Sequence, residues 1–289
     1  MSFEDLIIKV NEKVKESDLI NHIVMIIDRS GSMSTLQIEV PGAFNRQLKD
    51  LKEISSTMKT TVSLVTFETV VDKPIFWKKD INNVRDMKDD DYKLGGLTAL
   101  YDAIGTTINK LNMDEDADDI KTSYLVVIIT DGCENSSKEY NGKKIVELMN
   151  KMKETNRWTF SFIGSNFDVD EVSKDLGIAG TNTMYFAQQN ANIGYVGASP
   201  LNGVSGRSGV SGTSGNSQVL GYTNSGMTAT NSLDSAMNSH STSVKTYMDN
   251  RKNIQQDIDG SFKIFTATNT FYNDAPKKEN KEKDKYNEY

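Results

Sequence analysis

The chain has 289 residues, a formal net charge of −7 and 37% hydrophobic residues, a composition ordinary for a globular protein. The acidic balance and the lack of a basic stripe argue against nucleic acid as the main partner. The longest apolar runs, at residues 23–27 and 124–129, fall far short of the ~20 residues that a membrane-spanning helix needs, so no membrane insertion is expected.

The N-terminal segment, residues 1–18, mixes charged side chains into every turn and lacks the apolar core of a secretory signal. Its apolar residues Phe3, Leu6, Ile7 and Val10 fall on one face, which predicts a short amphipathic helix. The single cysteine, Cys133, excludes an intrachain disulfide and favours a reducing compartment. Together these features predict a cytoplasmic protein.

Between residues 22 and 187, apolar runs typical of strands alternate with segments of helical periodicity. The short link between the runs at 60–67 and 70–77 predicts a hairpin, and therefore one antiparallel strand. We therefore predict an α/β fold with a Rossmann-like open, mostly parallel sheet of about six strands, one antiparallel edge strand and helices on both faces. The other strands are predicted at 22–28, 123–130, 158–164 and 183–187, and the helices near 41–54, 100–111, 145–152 and 168–176.

Composition changes after residue 197, and residues 197–244 carry only two charged side chains, Arg207 and Asp234, among many Gly, Ser, Asn and Thr residues. Such a segment buries too little apolar surface to offset its chain entropy. We therefore predict an α/β domain at 1–195 that folds alone, followed by a flexible linker at 196–231. Apolar residues at helical spacing predict a helical or extended segment at 232–270, and the mixed charges of 271–289 are typical of a solvated tail.

Oxygen-bearing side chains stand at the carboxyl ends of the predicted parallel strands or in the loops just beyond. Asp28, Ser30 and Ser32 follow the first strand, Asp131 follows the strand at 123–130, and Thr98 lies in the loop before a helix. Ligands of open α/β sheets bind at this edge, so we expect the five residues to converge. Two carboxylates and three hydroxyls suit Mg²⁺, which prefers oxygen ligands and usually keeps several waters. With two histidines and one cysteine, the chain cannot form a three-histidine or cysteine-rich zinc site.

These positions resemble the metal-ion-dependent adhesion site of the von Willebrand factor A family. Asp28, Ser30 and Ser32 match its D-x-S-x-S motif, while Thr98 and Asp131 match its later threonine and aspartate. The stretches GGLTALYDAIG and VVIITDGCENS resemble the intracellular bacterial and phage members, and the likeness covers roughly residues 20–190.

The resemblance implies a role for each of these residues. Ser30, Ser32 and Thr98 would contact a Mg²⁺ or Mn²⁺ ion directly or through water. Asp28 and Asp131 would hold waters and hydroxyls in place. One coordination position would stay open for an Asp or Glu of a partner protein.

Three residues near these positions carry separate interpretations. Leu97 stands where relatives often have Gly-Gly-Thr or Gly-Thr, and this departure is expected to shift Thr98 outward. Asp102 lies just inside the following helix and is interpreted as a helix-dipole partner or a solvated residue. Cys133 is interpreted as a small packed residue rather than a nucleophile, because no histidine is near it in sequence.

Three functions remain open at this stage. The favoured one is a metal-dependent protein-binding module without enzymatic activity, whose partner is neither nucleic acid nor membrane. A haloacid-dehalogenase-type phosphatase also has an aspartate after its first strand, but it needs a second aspartate two residues later as general acid, and here that residue is Ser30. A P-loop and a G-x-S-x-G motif are absent from the sequence as well. The third function is a structural or assembly component, for example of a phage, in which the metal is incidental and the Gly/Ser-rich segment is a tether.

Overall fold

The fold is described by a computed structural model. The predicted N-terminal helix, most of the predicted linker and the predicted charged tail lie outside the described residues. The residues that the structure describes are 19–55, 58–114, 121–165, 169–178, 182–186, 228–230, 232–252, 255–256 and 262–263.

A seven-stranded sheet forms the centre of the fold. Its strands are β1 (Ile20–Asp28), β2 (Lys59–Phe67), β3 (Phe76–Asp80), β4 (Thr122–Thr130), β5 (Trp158–Ser165), β6 (Thr183–Phe186) and β7 (Thr228–Thr230), in the order β3-β2-β1-β4-β5-β6-β7. All neighbouring strands are parallel except β3, which lies antiparallel to β2 at one edge. The predicted fold class is confirmed, and the short β7 extends the sheet at the opposite edge. A separate antiparallel pair consists of β8 (Gln255–Gln256) and β9 (Phe262–Lys263).

Helices cover both faces of this sheet. They are α1 (Glu39–Ile54), α2 (Leu100–Asn112), α3 (Gly142–Glu154), α4 (Val169–Asp175) and α5 (Leu233–Lys252), with short 3₁₀ helices at Gly31–Leu36, Ile81–Asn83 and Asp89–Asp91. Ile23, Met25 and Ile27 of β1 pack in one core with α1 and α5. Val24 and Ile26 pack in the other core with α2, α3 and α4. Alternate residues of β1 therefore enter different cores, which explains its continuous apolar run.

The lengths and compositions of the described helices can be compared with those of membrane-spanning helices. None of them is both long enough and apolar enough to cross a membrane. The longest, α5, spans 20 residues but carries charged and polar side chains along its length.

The C-terminal helix α5 is part of the core that contains α1. Its side chains Leu233, Met237, Val244 and Met248 are at most 2% exposed and lie in this cluster. β7, whose residues close the predicted linker at 196–231, pairs with β6 just before α5 begins. The end of the predicted linker thus returns to the sheet, and the helix that follows it covers the same face as α1.

Polar contacts also join α5 to α1. The carboxylate of Asp234 forms an ion pair with Arg46, and the Asp234 N–H donates to the Glu39 side chain at 2.8 Å. Deeper in the interface, the His240 ring meets the Gln47 side chain through its Nδ1. Because both His240 and Gln47 are buried, this contact is shielded from solvent.

Burial of His240 makes the stability of the fold pH-dependent. Burial lowers the pKa of His240 to about 3, whereas an exposed histidine has a pKa of about 6.5. The unfolded chain therefore takes up a proton below about pH 6.5 that the folded chain does not, so the contribution is complete above that pH and is lost as the pH falls toward the folded value. We expect this residue to lower the free energy of unfolding by at most about 1.4 kcal/mol per pH unit.

Denaturant unfolding of the wild type and of His240→Gln, followed between about pH 7 and pH 5, measures this contribution. The variant keeps a neutral amide at the position and should show the shallower pH dependence. Equal slopes for the two proteins would contradict the assignment.

Candidate metal centre

The residues of the predicted metal site lie where β1 and β4 end side by side. β1 ends at Asp28 and β4 at Thr130, and the two strands run in parallel register. On its other side β1 pairs with β2, and the last residue of β2, Phe67, lies opposite Asp28. The loops that follow these three strands therefore meet at one edge, which we call the rim.

Asp28 lies fully buried beneath the rim. One of its carboxylate oxygens accepts a hydrogen bond from the Ser30 N–H at 2.7 Å, and the other accepts one from the Thr130 hydroxyl at 2.6 Å. Burial raises the pKa of Asp28 to about 6, although these hydrogen bonds oppose the rise. Burial also raises the pKa of Tyr92, whose phenol donates to the Asp28 backbone carbonyl at 2.6 Å. Asp28 thus fixes the shape of the loop from below.

Ser30, Ser32 and Asp131 form a chain of oxygens across the rim. The hydroxyl oxygens of Ser30 and Ser32 lie 3.0 Å apart, and the Ser32 hydroxyl donates to an Asp131 carboxylate oxygen at 2.7 Å. Ser30 is buried, Ser32 is exposed and Asp131 is half-buried. The chain therefore leads from the interior to the solvent.

Thr98 lies beside this chain and is 3% exposed. A Cβ added to Gly132 would lie 3.3 Å from Ser32 Oγ and 3.7 Å from Thr98 Oγ1, so the two hydroxyls border the same small space. Asn135 holds Thr98 from both sides, because its side chain accepts from the Thr98 N–H at 2.8 Å and its own N–H donates to the Thr98 carbonyl at 3.0 Å. The outward shift expected from Leu97 is not seen, because Leu97 itself is 53% exposed while Thr98 stays inside.

Arg29, the second residue of the D-x-S-x-S motif, joins three loops of the rim. Its Nε and Nη2 donate to the two carboxylate oxygens of Asp72 at 2.6 and 2.8 Å, and its Nη1 donates to the Lys93 carbonyl at 3.0 Å. Glu68 lies 3.7 Å from the same guanidinium. The hydrogen bonds to Asp72 raise the pKa of Arg29, which therefore stays charged. The sequence analysis did not predict this role of Arg29. The one local feature that could have indicated it is a basic residue inside a motif of acidic and hydroxyl-bearing residues.

The sequence matches the von Willebrand factor type A domain over residues 22–196, which is more than half of the chain. The chain belongs to the von Willebrand factor A family. This membership agrees with the open, mostly parallel sheet and its one antiparallel edge strand. No curated protein matches the chain.

Several solved structures are similar to this domain. A von Willebrand factor type A protein from Catenulispora acidiphila has 14% sequence identity and a TM-score of 0.39, with 60% of this chain and 39% of that one covered. Proximal thread matrix protein 1 from the mussel byssus has 16% identity and a TM-score of 0.41, with 60% and 43% covered. The manganese-loaded TRAP protein of Plasmodium vivax has 16% identity and a TM-score of 0.42, with 61% and 71% covered. The chain thus spans less than half the length of the first two.

Two acidic residues beside the rim organise its last loop in this von Willebrand factor A domain. Asp102 accepts hydrogen bonds from three successive backbone N–H groups at 138–140, at distances of 2.8–3.0 Å. Asp102 does lie in the first turn of α2, as its interpretation as a dipole partner expects, but it is not a solvated residue, because it also anchors this loop. Glu134 accepts from the Tyr101 N–H at 2.9 Å and so satisfies an N–H in the first turn of α2. In each of these hydrogen bonds the donor and the acceptor are more than 30 residues apart in the sequence. The sequence alone therefore did not predict them.

The oxygen atoms at the rim suit a small divalent cation as ligands. The structure brings the Ser30, Ser32 and Thr98 hydroxyls together with Asp131, and Asp28 lies directly below. All are oxygen donors, the type that Mg²⁺ and Mn²⁺ prefer. Among the described residues no three His, Cys, Asp or Glu side chains converge, so an ion here needs the hydroxyls. Cys133 is exposed, which corrects its interpretation as a packed residue.

Proposed function

We propose that this domain is a metal-dependent protein-binding module in which a Mg²⁺ or Mn²⁺ ion at the rim binds an Asp or Glu of a partner protein. Domains of this family are often metal-dependent interaction modules. The observation that carries the proposal is the chain of oxygens from buried Ser30 through Ser32 to Asp131, with Thr98 beside it. Ser30, Ser32 and Thr98 would hold the ion, which supplies a positive charge at the protein surface.

The charges at the rim explain why a carboxylate suits this site. Asp28 already accepts two hydrogen bonds from within the chain, and Asp131 accepts one from Ser32. Direct ligation by neutral hydroxyls leaves the ion attractive to an incoming carboxylate. Because the rim is partly shielded from water, that attraction is stronger than it is between fully solvated charges. Exposed Ser32 and half-buried Asp131 mark the open side from which the partner approaches.

The same residues favour binding over catalysis. A phosphatase of the haloacid-dehalogenase type needs a proton donor two residues after its nucleophile, and buried Ser30 has no carboxyl group to supply one. We propose a non-enzymatic role in the cytoplasm, and the net charge of −7 favours a protein partner over nucleic acid or a membrane. In the alternative, a structural or assembly component, the partner would bind equally well without the metal.

Affinity capture on the immobilised full chain tests the proposal. Proteins bound in Mg²⁺ should be released by EDTA and recovered when Mg²⁺ or Mn²⁺ is restored. Ser32→Ala should weaken their binding at least about 10–100-fold, because the loss of a group that only supports a metal ligand already costs that much and Ser32 would itself hold the ion. Ser34→Ala is the matched control, because Ser34 is exposed in the same loop but lies outside the motif.

Quantitative mass spectrometry of the captured proteins distinguishes the alternatives. Partners recovered equally well in EDTA and on Ser32→Ala would overturn the metal-dependent proposal and favour the assembly role. Hydrolysis of a generic phosphomonoester that Asp28→Asn abolishes would favour the phosphatase.

A further inference from the structure

Two exposed apolar side chains lie on loops that contact each other beside Thr98. Leu97 is 53% exposed and Val70 is 55% exposed. The Leu97 N–H donates to the hydroxyl of Thr69, the residue before Val70, at 2.9 Å. Single exposed apolar residues are common on protein surfaces, but here two stand on adjoining loops next to the proposed metal. We call this pair the apolar step.

The backbone holds Leu97 rigidly in this position. The Thr69 hydroxyl that accepts from Leu97 itself donates to Glu68 at 2.8 Å, and the Ala99 N–H donates to the Glu68 carbonyl at 2.7 Å. Gly96 has φ +60, a conformation that favours glycine, and a Cβ there would lie 1.5 Å from a Glu68 carboxylate oxygen, so any other residue would strain this turn and displace the Glu68 side chain. An apolar side chain presented on a fixed backbone loses little entropy when it is covered, which favours binding.

The charges next to the apolar step restrict what can cover it. Glu68 lies directly under Gly96, and hydrogen bonds from Thr69 lower the Glu68 pKa, so this carboxyl group is ionised. The guanidinium of Arg29, which lies 3.7 Å from Glu68, also forms an ion pair with Asp72 and is thus shared between two carboxylates. A second acidic residue of a partner would therefore meet uncompensated negative charge here, whereas an apolar residue would not.

We propose that the apolar step binds an apolar side chain adjacent to the partner's metal-binding carboxylate, so that the site recognises an acidic residue with an apolar neighbour. This proposal rests on the proposed function and adds the class of sequence that the site selects. Leu97 directly precedes Thr98, and consecutive Cα atoms lie about 3.8 Å apart in both chains, so a neighbour of the bound acid reaches Leu97. Leu97 then sets specificity without touching the metal.

Selection of short random peptides displayed on phage, against the full chain in Mg²⁺, tests the proposal. The selected peptides should carry one Asp or Glu with an apolar residue next to it. A synthetic consensus peptide and its version with serine in place of the apolar residue are then measured by fluorescence anisotropy. Leu97→Ser should weaken the consensus peptide about tenfold, but it should leave the serine peptide nearly unchanged.

Three controls separate this proposal from the proposed function. Val70→Thr keeps the shape of the side chain and should weaken the consensus peptide as Leu97→Ser does. Met113→Ser, at an 83% exposed position beyond the far end of α2, should leave it unchanged. Calorimetry should give the same Mg²⁺ affinity for Leu97→Ser, Val70→Thr and Met113→Ser as for the wild type.

The outcomes of the selection are distinct. Peptides that require the acid but bind Leu97→Ser and wild type alike would overturn the apolar step and leave the proposed function standing. Peptides that need neither an acid nor Mg²⁺ would overturn both.

Discussion

Replacing Asp28 with asparagine should abolish Mg²⁺ binding while the fold persists. Asparagine has nearly the same shape and retains an oxygen that can accept from the Ser30 N–H, so the loop keeps its local support. What is lost is the negative charge of Asp28, so that Asp131 is the one carboxylate left among the five predicted site residues. Since groups that support metal ligands typically contribute 10–100-fold to affinity, and this change also removes a charge, we expect a loss of at least about 100-fold.

The stability of the metal-free protein gives a second, independent readout of the same variant. Asp28 is fully buried, and an ionised carboxylate in that position is costly when no cation is bound. In EDTA, Asp28→Asn should therefore unfold at the same temperature as the wild type or a higher one. Added Mg²⁺ should raise the melting temperature of the wild type only, because ligand binding to the folded state stabilises it by mass action.

Titration calorimetry on metal-stripped protein, together with thermal unfolding with and without Mg²⁺, measures both effects. Asp90→Asn is the matched control, because the Asp90 side chain is 89% exposed and pairs with Lys93 outside the oxygen chain. An unchanged binding isotherm in Asp28→Asn would show that the ion, if it binds, binds elsewhere.

The central sheet could be predicted because its signals are local. The continuous apolar runs of β1 and β4 lie inside single segments of the sequence, and each run is long enough to indicate a strand covered on both faces. Alternation with helical segments then leaves few possible topologies. The predicted strand at 70–77 is wrong in its start, because β3 begins only at Phe76. The first part of the run is joined to β2 only by an isolated bridge between Phe67 and Val71.

The five site residues could be named because each follows a strand or precedes a helix that was itself predictable. Their supports could not, because hydrogen-bond partners across the rim are far apart in the chain. Arg29 pairs with Asp72, 43 residues away, and Thr98 is held by Asn135, 37 residues away. Such pairs leave no periodic pattern in a single sequence, so they emerge only when the loops are brought together.

The packing of α5 against the sheet could not be predicted from the sequence either. The apolar residues after position 232 predicted a helix, but not the surface that it covers. The change in composition after residue 197 suggested a boundary at 195, and composition alone does not tell whether later residues return to the same core. β7 and α5 do return, and they cover the face of the sheet that α1 shares.

A chain truncated after residue 196 should therefore be much less stable than the full chain. Truncation removes Leu233, Met237, Val244 and Met248 from the core and exposes the surface of α1 that they cover. Full burial of side chains of this kind contributes about 1.5–3 kcal/mol each, so four of them are comparable with the 5–15 kcal/mol that stabilises a typical domain. We expect the truncated chain to unfold at a far lower temperature or to be recovered unfolded.

Point substitutions in α5 separate packing from chain length. Met237→Ala should lower the free energy of unfolding by about 2–5 kcal/mol, the usual cost of removing a fully buried methionine side chain. Lys245→Ala, at an exposed position of the same helix, should change it by no more than about 0.5 kcal/mol. Both values come from denaturant unfolding of the full chain followed by circular dichroism. If Met237→Ala and the truncated chain were as stable as the wild type, residues 1–195 would fold as an independent domain and α5 would be dispensable for it.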